Sequence, residues 1–280
     1  MDFIKMHGLG NDFICLDHFV FSPQADYAKM ARSLCHRQFG VGGDGLIAIL
    51  PSEKADARMR IFNPDGSEPE MCGNGIRCFA RFLYDAGHVK KENFTAETLA
   101  GILKIQLNVH NGYVQGVTVN MGEPCLVPEK IPVLAGSGLA VQEEIKVCTQ
   151  KLIFTAVSMG NPHCVIFVKD FDSLDFTILG PEIEKHPLFP NKTNVEFVRI
   201  DHPGEITIKV WERGAGPTLA CGTGACASVV AAALSRFSER KVNAHLPGGD
   251  LIIEWAEDNH VYMTGPAAYV FRGSLMEEPQ

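Results

Sequence analysis

Two cysteine loops, set at matched places in the two halves of the chain, constrain its fold more than any other feature. One reads Met71-Cys72-Gly73-Asn74-Gly75-Ile76-Arg77 and the other Ala220-Cys221-Gly222-Thr223-Gly224-Ala225-Cys226. Asn11, in Leu9-Gly10-Asn11-Asp12, precedes Cys72 by 61 residues. Asn161, in Met159-Gly160-Asn161-Pro162-His163, precedes Cys221 by 60. Asn63 and Glu212 each stand nine residues before their cysteine. A period this long predicts duplicated domains and not a solenoid. The chain must therefore build one architecture twice.

Each half reads as strand-rich with one marked helix. Residues 76–86 carry Ile76, Phe79, Ala80 and Leu83 at helical spacing, with Gly87 as a stop. Residues 225–235 form an Ala/Val-rich helix that is apolar nearly all round, which predicts burial. Strands are expected at 101–109 and 113–119, joined by the hairpin signal Asn111-Gly112. Further strands are expected at 165–168, 205–210 and 251–255, with a short one in Met1–Lys5. Residues 122–140, with Pro124, Pro128 and Pro132, read as the crossing between domains. The expected domains are 1–121 and 122–266, with 267–280 returning to the first as a strand.

The remaining composition mainly excludes. Net charge is -8 and no basic cluster occurs, so a nucleic-acid partner is not expected. No apolar run approaches a membrane span and no signal segment opens the chain, which predicts a cytoplasmic protein without a membrane partner. The nine cysteines are odd in number and include no C-x-x-C. A secreted disulfide framework and an ordinary zinc site are both disfavoured. Most of the cysteines are expected to pack as small hydrophobes.

Cys72 and Cys221 have surroundings that ask for more. A thiol at a helix N-terminus meets exposed N–H groups and the positive end of the macrodipole, which favour its anion. Glycines let the backbone approach a ligand and adopt positive φ, so successive N–H groups can converge on a carboxylate. A Gly-x-Gly of this kind also makes a plain turn, but two copies at matched offsets point to function. Asn63 and Glu212 would stand beside the thiols, Arg213 would be a carboxylate partner, and His163 lies two residues after Asn161. Asn63-Pro64-Asp65-Gly66 is equally a turn signal. Gly40-Val41-Gly42-Gly43-Asp44-Gly45 lacks the Lys-Ser/Thr of a P-loop and reads as a substrate loop or a turn. Asn191-Lys192-Thr193-Asn194 occupies the corresponding region of the second half, with Asn194 a candidate polar contact.

Taken together, these segments resemble the diaminopimelate epimerases. The resemblance includes both cysteine loops, the opening Lys5-Met6-His7-Gly8-Leu9-Gly10-Asn11-Asp12-Phe13, and Gly160-Asn161-Pro162-His163. It extends to Asn191-Lys192-Thr193-Asn194-Val195-Glu196-Phe197 and Trp211-Glu212-Arg213-Gly214-Ala215-Gly216. It implies an α/β fold of the α+β type: two pseudo-symmetric domains, each a mixed β-sheet wrapped around a central helix, with the active site in the inter-domain cleft. It implies epimerisation of LL- to meso-2,6-diaminopimelate with no pyridoxal phosphate, metal or other cofactor. Cys72 and Cys221 would be the two bases. Gly73, Asn74, Gly222 and Thr223 would offer N–H groups to the reacting carboxylate. Asn11, Asn63, Asn161, Asn194, Glu212 and Arg213 would hold the substrate's polar ends, and His163 and Glu212 would set the thiol protonation states. Some members carry Gln where Asp44 stands, so no binding role is implied for Asp44. A homodimer is a plausible assembly.

Two alternatives stay open at this point. A racemase or epimerase of another amino acid, of proline, hydroxyproline or histidine type, would share the cysteine loops. A thiol redox or metal-binding protein would use Cys72/Cys78 and Cys221/Cys226 as pairs, at spacings unusual for zinc.

Overall fold

A computed structural model describes residues 1–19, 26–136 and 138–276. Ser137 of the expected crossing and residues 277–280 of the expected returning segment lie outside them. The chain divides into two compact units. One is Met1–Asn120 together with the chain from Thr264 onward; the other is Met121–Met263.

The first unit is built on one mixed sheet. Ala268–Ser274 pairs antiparallel with Asp2–Gly8, which pairs antiparallel with Asn11–Asp17. Asn11–Asp17 then runs parallel to Gly45–Leu50, Gly45–Leu50 antiparallel to Ala57–Phe62, and Ala57–Phe62 parallel to Asn93–Thr98. Gly101–His110 and Tyr113–Asn120 complete it as a meander. In the connecting hairpin Asn111 and Gly112 have φ of 50° and 79°. Left-handed backbone at both central positions matches the twist of the flanking strands.

The second unit repeats the sequence of pairings. Gln150–Ser158 is antiparallel to Pro162–Phe167, which is parallel to Asn194–His202. Asn194–His202 is antiparallel to Glu205–Glu212, which is parallel to Lys241–Leu246, itself antiparallel to Gly249–Trp255. A parallel pair cannot be joined by a tight turn and needs a crossover. The four helices of the described residues are those crossovers. In order they are α1 Tyr27–Leu34, α2 Gly73–Asp85, α3 Phe176–Glu184 and α4 Gly222–Leu234. The duplication inferred from the cysteine loops is thus a duplication of β–α–β units.

Helices α2 and α4 are the buried ones. Ten residues of α2, including Ile76, Phe79 and Leu83, are buried, as are ten of α4. The first packs on Asp2–Gly8 and Tyr113–Asn120, the second on Gly249–Trp255 and Gln150–Ser158. Burying a Leu or Phe side chain contributes about 1.5–3 kcal/mol. These packings therefore fix the helix ends firmly against the sheets. Both helices start earlier than their periodicity predicts: the Gly-polar-Gly segments are the first helical turn, not a loop before it.

Candidate active site

The two cysteines occupy the same local position. Cys72 is the N-cap of α2 and Cys221 the N-cap of α4, both with extended backbone. The N–H of Gly75 points at Cys72 Sγ at 3.4 Å, and that of Gly224 at Cys221 Sγ at 3.4 Å. These are first-turn donors with no intrahelical partner, and the sulfur takes the place of an N-cap oxygen. None of Gly73, Gly75, Gly222 and Gly224 has positive φ. Gly75 and Gly224 answer to space instead. A Cβ at Gly75 would lie 3.0 Å from Ile61 Cδ1, and one at Gly224 would lie 2.6 Å from Glu196 Oε1.

In the first unit the thiol is half-buried and belongs to an amide network. Asn11 Oδ1 lies 3.8 Å from Cys72 Sγ and accepts from Asn74 Nδ2 at 3.1 Å. Asn74 is oriented in turn by Arg77, a fully buried guanidinium that donates to Asn74 Oδ1 at 2.9 Å and to Gly73 O at 3.0 Å. Asn11 Nδ2 donates to Asp44 Oδ2 at 2.9 Å. Asp44 and Asp12 are both held by Arg37, at 2.7 and 2.9 Å, and Lys5 lies 2.7 Å from Asp12. Burial raises the Asp12 carboxyl, but hydrogen bonds from Arg37 and Lys5 outweigh it and hold it at about 2. Asn63 stands apart from this network. Its amide donates to Ser67 Oγ at 2.9 Å within the Asn-Pro-Asp-Gly turn, so its turn role is the one visible.

In the second unit Cys221 is buried. Its Sγ lies 3.5 Å from Thr223 Oγ1, which accepts from Asn161 Nδ2 at 3.4 Å. Asn161 Oδ1 meets His163 Nε2 at 2.9 Å, and His163 Nδ1 meets Glu196 Oε1 at 2.7 Å. Glu212 accepts from Thr218 Oγ1 at 2.6 Å. Asn194 is tied at both ends of its amide: Nδ2 donates to Pro162 O at 2.8 Å and Oδ1 accepts from Arg213 N at 2.9 Å. It pins the strand ends where the other site residues begin. One guanidinium N–H of Arg213 donates to Asn191 O at 3.2 Å.

The helix N-terminus does not make Cys221 a ready thiolate. Burial pushes this thiol well above its ordinary value, the charges of Glu212 and Glu196 add to the rise, and Thr223 and the Gly224 N–H offset only part of it. At neutral pH Cys221 is therefore a thiol, able to give a proton. Cys78, the would-be partner of Cys72 in a metal pair, is fully buried and pushed up to about 12 by that burial. A metal ligand has to be a thiolate, and this environment opposes one.

Sequence reasoning missed Glu196, Arg77 and Thr218, and it assigned no binding role to Asp44, whose carboxylate accepts from Asn11 Nδ2. Glu196 did carry a signal. It is the only charge in Asn194-Val195-Glu196-Phe197-Val198, a stretch that is buried throughout, and a lone charge in such a strand needs a partner.

With this geometry in place, sequence and structural comparisons identify its relatives. The diaminopimelate epimerase signature matches residues 3–127 and 155–270. The chain belongs to the diaminopimelate epimerase family. It is 65% identical over 280 residues to the diaminopimelate epimerase of Desulfitobacterium hafniense, covering 99% of both chains. It is 57% identical over 277 residues to that of Moorella thermoacetica, covering 98% of this chain and 99% of the relative. Among solved structures it resembles a PhzF-family phenazine biosynthesis protein of Bacillus anthracis, with TM-score 0.72, 17% identity and 99% of both chains covered. It also resembles a probable proline racemase of Agrobacterium radiobacter, with TM-score 0.71, 16% identity, and 99% and 93% covered. These last two likenesses are of fold. Membership of the diaminopimelate epimerase family makes the protein an isomerase of the epimerase class. Among the described residues no helix is long and apolar enough to cross a membrane.

Proposed function

We propose that this protein interconverts LL- and meso-2,6-diaminopimelate by a two-thiol mechanism that uses neither pyridoxal phosphate nor a metal. The observation that carries the reading is the pair of N-cap cysteines, each receiving a first-turn N–H, in a chain of this family. One domain (residues 1–121 with the chain from 267) supplies Cys72, the other (122–266) supplies Cys221, and the two thiols act on opposite faces of one α-carbon.

An amino-acid α-proton is a very weak acid, so the carbanion needs electrostatic stabilisation. First-turn N–H groups of Gly73, Asn74, Gly222 and Thr223 supply it by holding the reacting carboxylate. Asn11, Asn63, Asn161, Asn194, Glu212 and Arg213 hold the polar ends of the substrate. Cys221, kept protonated by its surroundings, is the acid when Cys72 is the base; the roles exchange in the reverse direction. His163 and Glu212 set the protonation of the thiols. The exposed Tyr269, Val270 and Phe271 on the strand Ala268–Ser274 favour a homodimer. Nine free cysteines favour the reducing cytoplasm.

The test is proton exchange. Reduced, metal-free protein is incubated with LL-diaminopimelate in D₂O without pyridoxal phosphate and followed by NMR and chiral chromatography. Deuterium at one α-carbon with growth of the meso isomer is the expected result. No exchange with diaminopimelate, but exchange with proline or histidine, would replace the substrate.

A further inference from the structure

The last residue of α3, Glu184, is a buried acid that the proposed chemistry does not use. Its two oxygens serve two different donors at one corner of the second unit. Oε2 accepts from Trp211 Nε1 at 2.8 Å and Oε1 from the Gly214 N–H at 3.1 Å. Both oxygens act as acceptors toward N–H groups, so the side chain is a carboxylate. Burying a carboxylate is costly unless its oxygens are satisfied. A glutamine would cost less to bury, but it has one acceptor and would set an NH₂ against an N–H.

What this carboxylate holds is the turn that carries Glu212 and Arg213. Ala215 N donates to Glu212 O at 3.1 Å and Gly214 has φ of 80°, which closes a tight turn over Glu212–Ala215. The two central N–H groups of such a turn find no acceptor within it. Asn194 takes that of Arg213 at 2.9 Å, and Glu184 takes that of Gly214. Gly180 and Glu184 lie four apart on one face of α3, and a Cβ at Gly180 would stand 2.6 Å from Trp211 Cδ2. The indole therefore lies against bare backbone at Gly180, with its N–H one turn further on at Glu184.

The first unit has the same relation in different chemistry. Its crossover helix α1, which joins Asn11–Asp17 to Gly45–Leu50 as α3 joins Pro162–Phe167 to Asn194–His202, reaches the turn that carries Asn63. There Arg32 donates to Asp65 O at 3.3 Å. In both units the crossover helix thus holds the turn that starts nine residues before the cysteine. Arg32 is exposed, whereas Glu184 is buried, so water cannot replace the second hold as it can the first.

We infer that Glu184 is a positioning residue, which holds the Glu212–Ala215 turn through the Gly214 N–H and so fixes where Glu212 and Arg213 meet the substrate. The roles of those two side chains rest on the proposed function; the hold on the turn does not.

The experiment compares wild type, Glu184→Leu, Glu184→Gln, Trp211→Phe, and Glu184→Gln combined with Trp211→Phe. Hydrogen exchange of the Gly214 amide is read by ¹⁵N NMR, and kcat and KM for diaminopimelate are measured on the same proteins. Leucine removes both acceptors. Gly214 should lose its protection, and KM should rise about ten-fold with kcat changed less, because binding groups and not proton-transfer groups are displaced. Trp211→Phe removes only the indole donor, so Gly214 should stay protected and KM should stay within about three-fold of wild type. Glutamine alone leaves one of the two donors without an acceptor. Combined with Trp211→Phe, its single oxygen is left to Gly214, so protection should be kept and KM should lie within about three-fold of Trp211→Phe. A KM that stays flat while Gly214 loses protection, or rises while protection is kept, overturns the inference. So does a Gly214 amide whose exchange leucine leaves unchanged. If the leucine protein does not fold, the two glutamine proteins decide by the same rule. Failure of all three to fold assigns the carboxylate to the fold alone and overturns the positioning role. A wild type with a protected Gly214 amide that does not turn over diaminopimelate overturns the proposed function and leaves the hold of Glu184 on the turn intact.

Discussion

Glu196 occupies the space that a side chain at residue 224 would fill. A Cβ on Gly224 would stand 2.6 Å from Oε1 of Glu196 and 3.3 Å from Sγ of Cys221. Gly224→Ala must therefore displace a buried carboxyl or the helix turn itself. The corresponding Gly75→Ala meets Ile61 Cδ1 at 3.0 Å, the far end of a flexible side chain. Overpacking of this kind costs about 1–3 kcal/mol, with the larger value expected where nothing can yield. Gly224→Ala should lower the urea midpoint and activity more than Gly75→Ala. Equal effects would show that the Glu196 contact is not rigid.

Single replacement of either thiol tests the division of labour. Cys72→Ser and Cys221→Ser should each lower kcat by at least about 1000-fold, since each removes one of two proton-transfer groups whose loss is not covered by the other. Both should fold, because serine is close to cysteine in size and keeps an N-cap acceptor for Gly75 or Gly224. Circular dichroism and the D₂O assay read the two properties separately. A Cys72→Ser protein that epimerises at the wild-type rate sinks the two-thiol mechanism.

Much of this architecture was legible because burial and spacing are local signals. The hairpin at Asn111-Gly112, the apolar helix after Cys221 and the tail strand that pairs with Asp2–Gly8 all follow from short patterns. Helices α1 and α3 were not legible. The first is eight residues long and the second carries Pro181 inside it, so neither offers a sustained period; the need for a crossover between parallel strands places them, and that need appears only once the pairing is known. The thiols and Asn11, Asn74, Asn161 and His163 were legible through the repeat. What orients them was not. Arg77 aims Asn74 in one unit and Glu196 aims His163 in the other. Neither is paired by sequence spacing with a matched residue in the other half, so the duplication does not expose them.

Asn194 separates structural from binding roles. Its buried amide serves two backbone groups, Pro162 O and Arg213 N. Asn194→Ala leaves both without partners, a loss of about 1–3 kcal/mol for each group that water does not reach. The expected outcome is a lowered thermal midpoint together with reduced activity. A fully stable Asn194→Ala protein with raised KM alone would show that Asn194 acts through direct substrate contact and not through these two hydrogen bonds.

Alkaline pH should weaken the fold through its buried thiols. Burial raises Cys15, Cys164 and Cys221 well above their ordinary value of 9.0, Cys35 to about 11 and Cys78 to about 12. In the unfolded chain these groups ionise from about pH 9, while in the folded protein they stay protonated. Their contribution to stability is thus complete below the unfolded value and is lost as pH rises toward the folded ones. Urea midpoints in reducing buffer should fall steadily above about pH 9; midpoints flat to about pH 10.5 would show that these thiols reach water.

The acid side reports on the network behind Asn11. Asp12 is held at about 2 against an ordinary 3.8, with burial opposing and Arg37, then Lys5, prevailing. A depressed carboxyl contributes stability that is present above its unfolded value and is lost as pH falls through its folded one. The Asp12 share is therefore complete above about pH 4 and fades toward pH 2. Arg37→Ala removes the first of the lowering partners and moves the Asp12 carboxyl upward, so acid unfolding should begin at higher pH than in wild type. It also releases Asp44, which Arg37 holds at 2.7 Å and which anchors Asn11 Nδ2. KM should then rise several-fold with little change in kcat, because Asn11 would be less well placed to receive substrate while Cys72 and its Gly75 N–H are untouched. An unchanged acid midpoint with unchanged KM would show that Asp12 and Asp44 are held without Arg37.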